Sequence, residues 1–295
     1  MAAVFEHWSA SWPVLAGYAV LAAWHLAGLW RLRGAAGGQE QVPASAPASR
    51  ELRREAILCQ LGLLVVLIAL VSPVGYLSGV YIWVRMLQEL LVAVVGPGLI
   101  VLGAPWNALR AVLSRRPLPA GSALPRWLTA RPVLLAIAAN TIWLVWQLPA
   151  LFDRAQSAAG LALAEHVSYL AAGLVFWLVV ISSRPYQQRT PPLRRVGLVI
   201  GSVAASTVFG MMLVFGSGVL YPAYANSAHH VMSVLDDQQL AGAVWWMGIL
   251  PPMIIAAVAL MMEWLRDEES AELSAGLDRL LTPRRHGWPS RPVIR

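Results

Sequence analysis

The residues best suited to chemistry lie in one stretch, Leu220 to Trp246, LYPAYANSAHHVMSVLDDQQLAGAVWW. It joins two long apolar runs, holds no Lys or Arg, and gathers His229, His230, Met232, Asp236, Asp237, Gln238 and Gln239. Imidazole nitrogen suits Cu, Zn and Ni, and thioether sulfur favours Cu(I). The H-H-x-M run, with Met211 and Met212 in the preceding segment, therefore reads as a candidate copper ligand set. Two solvated loop histidines are the plain alternative. Asp236 or Asp237 also suits the N-terminal cap of the helix that follows, where a carboxylate meets free N–H groups and the positive end of the dipole. No hydrolase triad, phosphate loop or zinc spacing with enough ligands is present, so no enzymatic activity is expected. Cys59 is the single cysteine, which excludes a disulfide framework and a CxxC motif.

The segments that carry and flank these residues are apolar. Of 295 residues, 58% are hydrophobic and 13% charged, whereas a soluble domain carries about 25% charged residues. Seven runs approach or exceed the ~20 residues that cross a bilayer as a helix. They are Pro13–Trp30, Glu55–Val74, Ser78–Leu102, Pro132–Leu151, Gly160–Ile181, Val196–Leu220 and Leu240–Trp264. Inside lipid every backbone group must be paired within its own segment, so each run is a helix. The fold expected is all-α, a polytopic seven-helix membrane domain over residues 1–265 with a tail over 266–295.

Arginine orients it. The chain has no Lys, and 20 of its 22 basic residues fall in one alternate set of loops and in the tail. By the positive-inside rule the N-terminus is outside and the C-terminus cytoplasmic. The linker 34–54 and the loop 104–131 are then cytoplasmic, and the loop 220–239 is extracytoplasmic. The net charge of +7 reads as an orientation signal beside anionic lipid, not as a nucleic-acid surface.

With that topology the polar residues of the spans gather in their outer halves: Arg85, Gln88, Glu89, Gln147, Glu165 and His166, bordered by Asp236, Asp237 and Gln238. Ionisable groups inside a membrane are costly, face the bundle interior and pair with one another. Arg85 and Glu89, four residues apart, can pair along one helix face, either as a structural ion pair or in a direct role. His25 reads as an interhelical histidine. Gly96-Pro97-Gly98 reads as a kink, with a broken-helix transport site as the sharper alternative.

Five motifs, in order over roughly Tyr81 to Glu263, resemble the CtaG-like family of cytochrome c oxidase assembly factors. They are Met86-Leu87-Gln88-Glu89-Leu90-Leu91 with Leu102-Gly103-Ala104-Pro105; Trp146-Gln147-Leu148-Pro149-Ala150-Leu151-Phe152-Asp153; Glu165-His166-Val167-Ser168-Tyr169-Leu170 with Phe176-Trp177; Leu220-Tyr221-Pro222-Ala223-Tyr224; and Asp237-Gln238-Gln239-Leu240-Ala241-Gly242 with Trp246. The resemblance implies a bacterial plasma-membrane protein of about seven spans. It also implies oxidase subunits as partners and a role around the copper centre served by span histidines. Three of the positions where it implies histidine hold Glu89, Gln147 and Ala162; His166 is retained. A copper site here would draw on His166, His229, His230 and Met232.

Three function classes stay open. The first is an oxidase assembly factor acting by metal handling or by helix packing. The second is a small-solute or metal-ion permease, disfavoured because the inner halves of the spans are apolar apart from Asn140 and Glu263. The third is a receptor-like or structural seven-helix scaffold.

Overall fold

The computed structural model describes residues 12–36, 47–113, 122–123, 130–226 and 232–281. The helices are α1 (Trp12–Ala36), α2 (Pro47–Val71), α3 (Pro73–Leu77), α4 (Ile82–Leu90), α5 (Gly96–Leu102), α6 (Trp106–Leu113), α7 (Pro132–Trp146), α8 (Pro149–Ser157), α9 (Ala159–Val180), α10 (Pro192–Phe215) and α11 (Val234–Leu281). A π-turn, Leu91–Val95, joins α4 to α5. The β structure among the described residues is a two-residue parallel pairing of Ser122–Ala123 with Tyr186–Gln187. Six helices are long and apolar enough to cross a membrane, and the bent pair α7–α8 makes a seventh candidate span. The chain is a membrane protein built of helices.

The span Ile82–Leu102 is the axis of the bundle. It is 72% buried, whereas the spans in α1 and α2 are 17% and 22% buried. The other helices pack around it and turn apolar side chains outward, as Ile255 (69% exposed), Val208 (71%) and Phe215 (72%) do. Bilayer hydrocarbon rather than water suits such a surface, because no polar backbone is presented.

Local sequence explains where the elements depart from the apolar runs. Span four does not continue to Leu151; it breaks at Gln147–Leu148 and turns by 67°. Pro149 has no N–H for the carbonyl of Val145 and excludes the residue before it from helical backbone, and Leu148 is accordingly extended. The glycine–proline run 96–98 does not break span three. The strain is taken up one turn earlier by the π-turn, whose Val94 carbonyl accepts from Trp177 Nε1 at 2.8 Å, as π-bulges relieve a helix ladder. Helix α2 begins at Pro47, so Arg50, Arg53 and Arg54 are helical, and the apolar span within it is Arg50–Val71. Span seven begins at Val234 and runs through Pro251 and Pro252 to Leu281. Its 48 residues reach about 72 Å, so the helix extends well beyond the ~30 Å hydrocarbon core into the stretch read as a tail.

Glycines set helix spacing, two of them at the tightest approaches. A Cβ on Gly28 would lie 1.8 Å from the carbonyl oxygen of Ala108, and one on Gly173 2.1 Å from that of Ala93. The first lets α1 seat on α6, where Arg31 and Trp24 donate to the carbonyls of Val112 (2.9 Å) and Leu109 (3.0 Å). Gly28→Ala forces these helices apart and is expected to destabilise by about 1–3 kcal/mol. Gly197→Ala on α10, with nothing within 4 Å of the added Cβ, is the neutral control. Thermal unfolding in detergent measures both, and equal midpoints would refute the close packing.

Candidate functional site

The polar residues of the spans converge on Arg85. Its Nε donates to Glu89 Oε1 (3.3 Å), Nη2 to Glu165 Oε1 (2.7 Å), and Nη1 to the Phe152 carbonyl (2.9 Å) and the Tyr224 hydroxyl (3.4 Å). The guanidinium lies 3.6 Å from the centroid of the Phe152 ring. All three ionic side chains are at least nine-tenths buried. An ion buried this way is tolerated only when its remaining hydrogen-bonding capacity is satisfied, and here the network is extensive. Glu89 Oε2 accepts from Trp143 Nε1 (3.3 Å) and from Gln147 Nε2. Tyr169 donates to Glu165 Oε1 (3.4 Å) and accepts from Gln147 Nε2 (3.4 Å).

The break in span four builds part of this site. Gln147 is the C-terminal cap of α7, and the Tyr221 hydroxyl donates to its carbonyl at 3.1 Å. The stretch after α10 is likewise fastened. Tyr221 stacks on Phe152 with ring centroids 4.0 Å apart, and Tyr224 donates to the Ser78 carbonyl at 2.8 Å. Burial pushes the Tyr224 hydroxyl up to about 12, so it remains a donor across the physiological range.

Asp237 and Asp236 have different duties from the cap expected. The N-terminus of α11 is capped by Ser233, whose Oγ accepts from Asp236 N (3.1 Å) and donates to Asp236 Oδ2 (2.6 Å). Asp237 is fully buried and reaches across the bundle to another helix. Its Oδ2 and Oδ1 accept from the backbone N–H groups of Ile82 (2.8 Å) and Trp83 (3.0 Å), the start of α4. Gln238 accepts from Leu220 N (2.6 Å) and donates to Gly218 O (3.0 Å), holding the chain between α10 and α11. Both residues lie inside α11, not in the loop.

A cavity of about 300 Å³ adjoins the ion pairs, its wall including Ser78, Arg85, Gln88, Ala162, Glu165 and His166. Gln88 donates to the Ala69 carbonyl at 2.9 Å and so stands beside the Arg85 network without a bond to it. The candidate metal ligands are less gathered. His166 is in the cavity wall and Met232 is 37% exposed, while His229 and His230 lie outside the described residues. Among the described residues no group of three or more His, Cys, Asp or Glu is placed to hold a metal ion. One imidazole beside carboxylate and amide oxygens is a poor donor set for Cu(I), which prefers soft ligands.

Two positions where the resemblance implies histidine, Glu89 and Gln147, touch each other. The third, Ala162, shares the cavity wall with His166. These departures fall in one place, and carboxylate–amide bonding occupies part of it.

The remaining polar residues sit elsewhere. Gln60 pairs with His25 Nδ1 at 3.0 Å. Asn140 donates to Ser202 Oγ at 2.9 Å. Arg195, 1% exposed, donates to Glu263 at 2.6 Å near the arginine-rich end. Sequence reading missed Trp143, Tyr169, Tyr221 and Tyr224 as network members. The available signals were the i, i+4 spacing of Glu165 and Tyr169 and the place of the three tyrosines in the motifs that carry the resemblance.

Fold and site together define a polytopic helical membrane protein with a buried, hydrogen-bonded ion cluster at the end opposite most of its arginines. The family model for the cytochrome c oxidase caa3 assembly factor (Caa3_CtaG) matches residues 23–267, and the chain belongs to that family. It is also 29% identical over 104 residues to an uncharacterized protein of Mycobacterium leprae, and 27% identical over 104 residues to uncharacterized proteins of Mycobacterium bovis and Mycobacterium tuberculosis. Each match covers 35% of this chain and 16% of the relative, so the chain spans a small part of those proteins. No solved structure matches the chain.

Proposed function

We propose that this protein is a non-catalytic assembly factor for cytochrome c oxidase in the bacterial plasma membrane, and that it engages oxidase subunits at the extracytoplasmic end of its bundle. The observation that carries this reading is the Arg85–Glu89–Glu165 cluster beside the cavity lined by His166, in a chain of the assembly-factor family. Buried ion pairs at membrane depth are expensive and mark a working site. The cluster ties α4, α7, α8, α9 and the Tyr221–Tyr224 turn into a single rigid end. A rigid end offers a partner subunit a fixed template, because little conformational entropy is lost on docking. Among the described residues the inner halves of the spans are mostly apolar, their polar groups closed in local pairs such as Asn140 with Ser202 and Arg195 with Glu263, which disfavours a permease.

Copper-centre maturation is the finer part of the proposal. A copper ion would draw on His166, His229, His230 and Met232, whose imidazole and thioether donors suit Cu(I). Deletion of the gene is expected to lower oxidase activity and the level of its catalytic subunit, and complementation by the wild-type chain to restore both. Unchanged oxidase content would overturn the assembly role. Elemental analysis of the purified protein, reconstituted with copper under reducing conditions, separates the two parts. Loss of bound copper in His166→Ala supports metal handling, whereas no copper in the wild type leaves assembly by helix packing alone.

A further inference from the structure

We infer that the groove between α1 and α2 is a binding site for an anionic phospholipid of the leaflet at the arginine-rich end. The groove has a volume of about 530 Å³, and its wall includes Leu26 and Trp30 of α1 with Arg53, Ile57, Leu61 and Leu64 of α2. On α2 the last three recur at helical spacing and share one face. All are turned outward, at 56%, 44% and 39% exposure. Arg53 tops the same face, with Arg50 and Arg54 on the same turn.

From Arg53 to Leu64 the groove runs about 17 Å at 1.5 Å per residue, close to half of the ~30 Å hydrocarbon core. A cleft one leaflet long, apolar along its length and cationic at its interfacial end, matches one acyl chain under a phosphate. Its one amide does not interrupt the apolar wall, because Gln60 is engaged by the buried His25. Behind the groove, Glu51 pairs with Arg184 at 2.6 Å and Glu55 lies 4.0 Å from the same guanidinium, in a second cavity of about 330 Å³ that shares Leu29 and Ala56 with the first. Arg184 is engaged by Glu51, which leaves Arg53 as the cation of the groove wall for the headgroup.

The test uses the full chain reconstituted with spin-labelled phosphatidylglycerol and, separately, spin-labelled phosphatidylcholine. Association is read by electron paramagnetic resonance. Wild type is expected to prefer phosphatidylglycerol. Each cation near a membrane surface contributes about a fivefold factor, so Arg53→Glu should cut the preference by at least about fivefold. Leu61→Trp, which fills the groove, should lower the immobilised fraction of both lipids. Arg266→Glu, a charge reversal on α11 remote from the groove, should change neither. An unchanged preference in Arg53→Glu would overturn the site, as would an equal fall in Arg266→Glu, which would indicate a general surface potential. Oxidase assembly is not read in this experiment, so its outcome is independent of the proposed function.

Discussion

Arg85→Met is expected to be the most damaging single substitution in the chain. It leaves Glu89 and Glu165 buried without their cation, and both of their ion pairs are with Arg85. Removing one partner of a buried ion pair typically costs about 3–5 kcal/mol, because the stranded charge has no water to turn to. Replacing the whole set with neutral groups of similar shape often costs little. The triple variant Arg85→Met, Glu89→Gln, Glu165→Gln is therefore expected to recover most of the lost stability. Equilibrium unfolding in mixed detergent, followed by tryptophan fluorescence, compares the three proteins. A single variant as stable as wild type would show that the cluster is not a closed ionic unit. If the recovered triple variant still fails to support oxidase assembly in cells, the charges serve function and not only folding.

Asp237→Ala should come second. One carboxylate satisfies two N–H groups at the start of the central helix, that of the buried Ile82 at 2.8 Å and that of the half-buried Trp83 at 3.0 Å. Each buried donor left without an acceptor costs about 1–3 kcal/mol, so the loss should approach twice that of an ordinary cap. Asp236→Ala, at the exposed cap of α11, should cost about 1 kcal/mol. Asp237→Asn keeps one acceptor oxygen and should fall between them. Amide hydrogen exchange gives a local readout: Ile82 and Trp83 should lose protection in Asp237→Ala and keep it in Asp236→Ala. Equal loss in both variants would contradict the cross-bundle cap.

The cap also shows how the central span is placed. Asp237 sits near the start of the last span and holds the first turn of the third, 155 residues away in sequence. The Tyr224 hydroxyl reaches the Ser78 carbonyl across 146 residues, and Gln147 reaches Glu89 across 58. These bonds close the end of the bundle that carries the candidate site. They explain why the stretch between α10 and α11, although outside the spans, is part of the site's structure.

That the chain is a helical membrane protein, how many apolar segments it carries, and which side chains would be costly to bury could all be read from the residues alone. Those conclusions follow from composition and run length, because a bilayer core leaves a backbone no partner except its own helix. The pairing of Arg85 with Glu89 was equally legible, since four residues on a helix fix the distance. Which residues meet across helices emerges only in the packed bundle. Asp237 could have capped its own helix, as its position suggested, and spacing alone gives no sign that it turns to Ile82 and Trp83 instead. The apolar run Pro132–Leu151 hid the break at Pro149, and nothing in it told that the break would deliver Gln147 to Glu89 and a carbonyl to Tyr221. Local periodicity fixes the face a residue occupies; the partner on that face is chosen by how the spans pack, and packing is set by close approaches such as Gly28 on Ala108 and Gly173 on Ala93, which no single segment encodes.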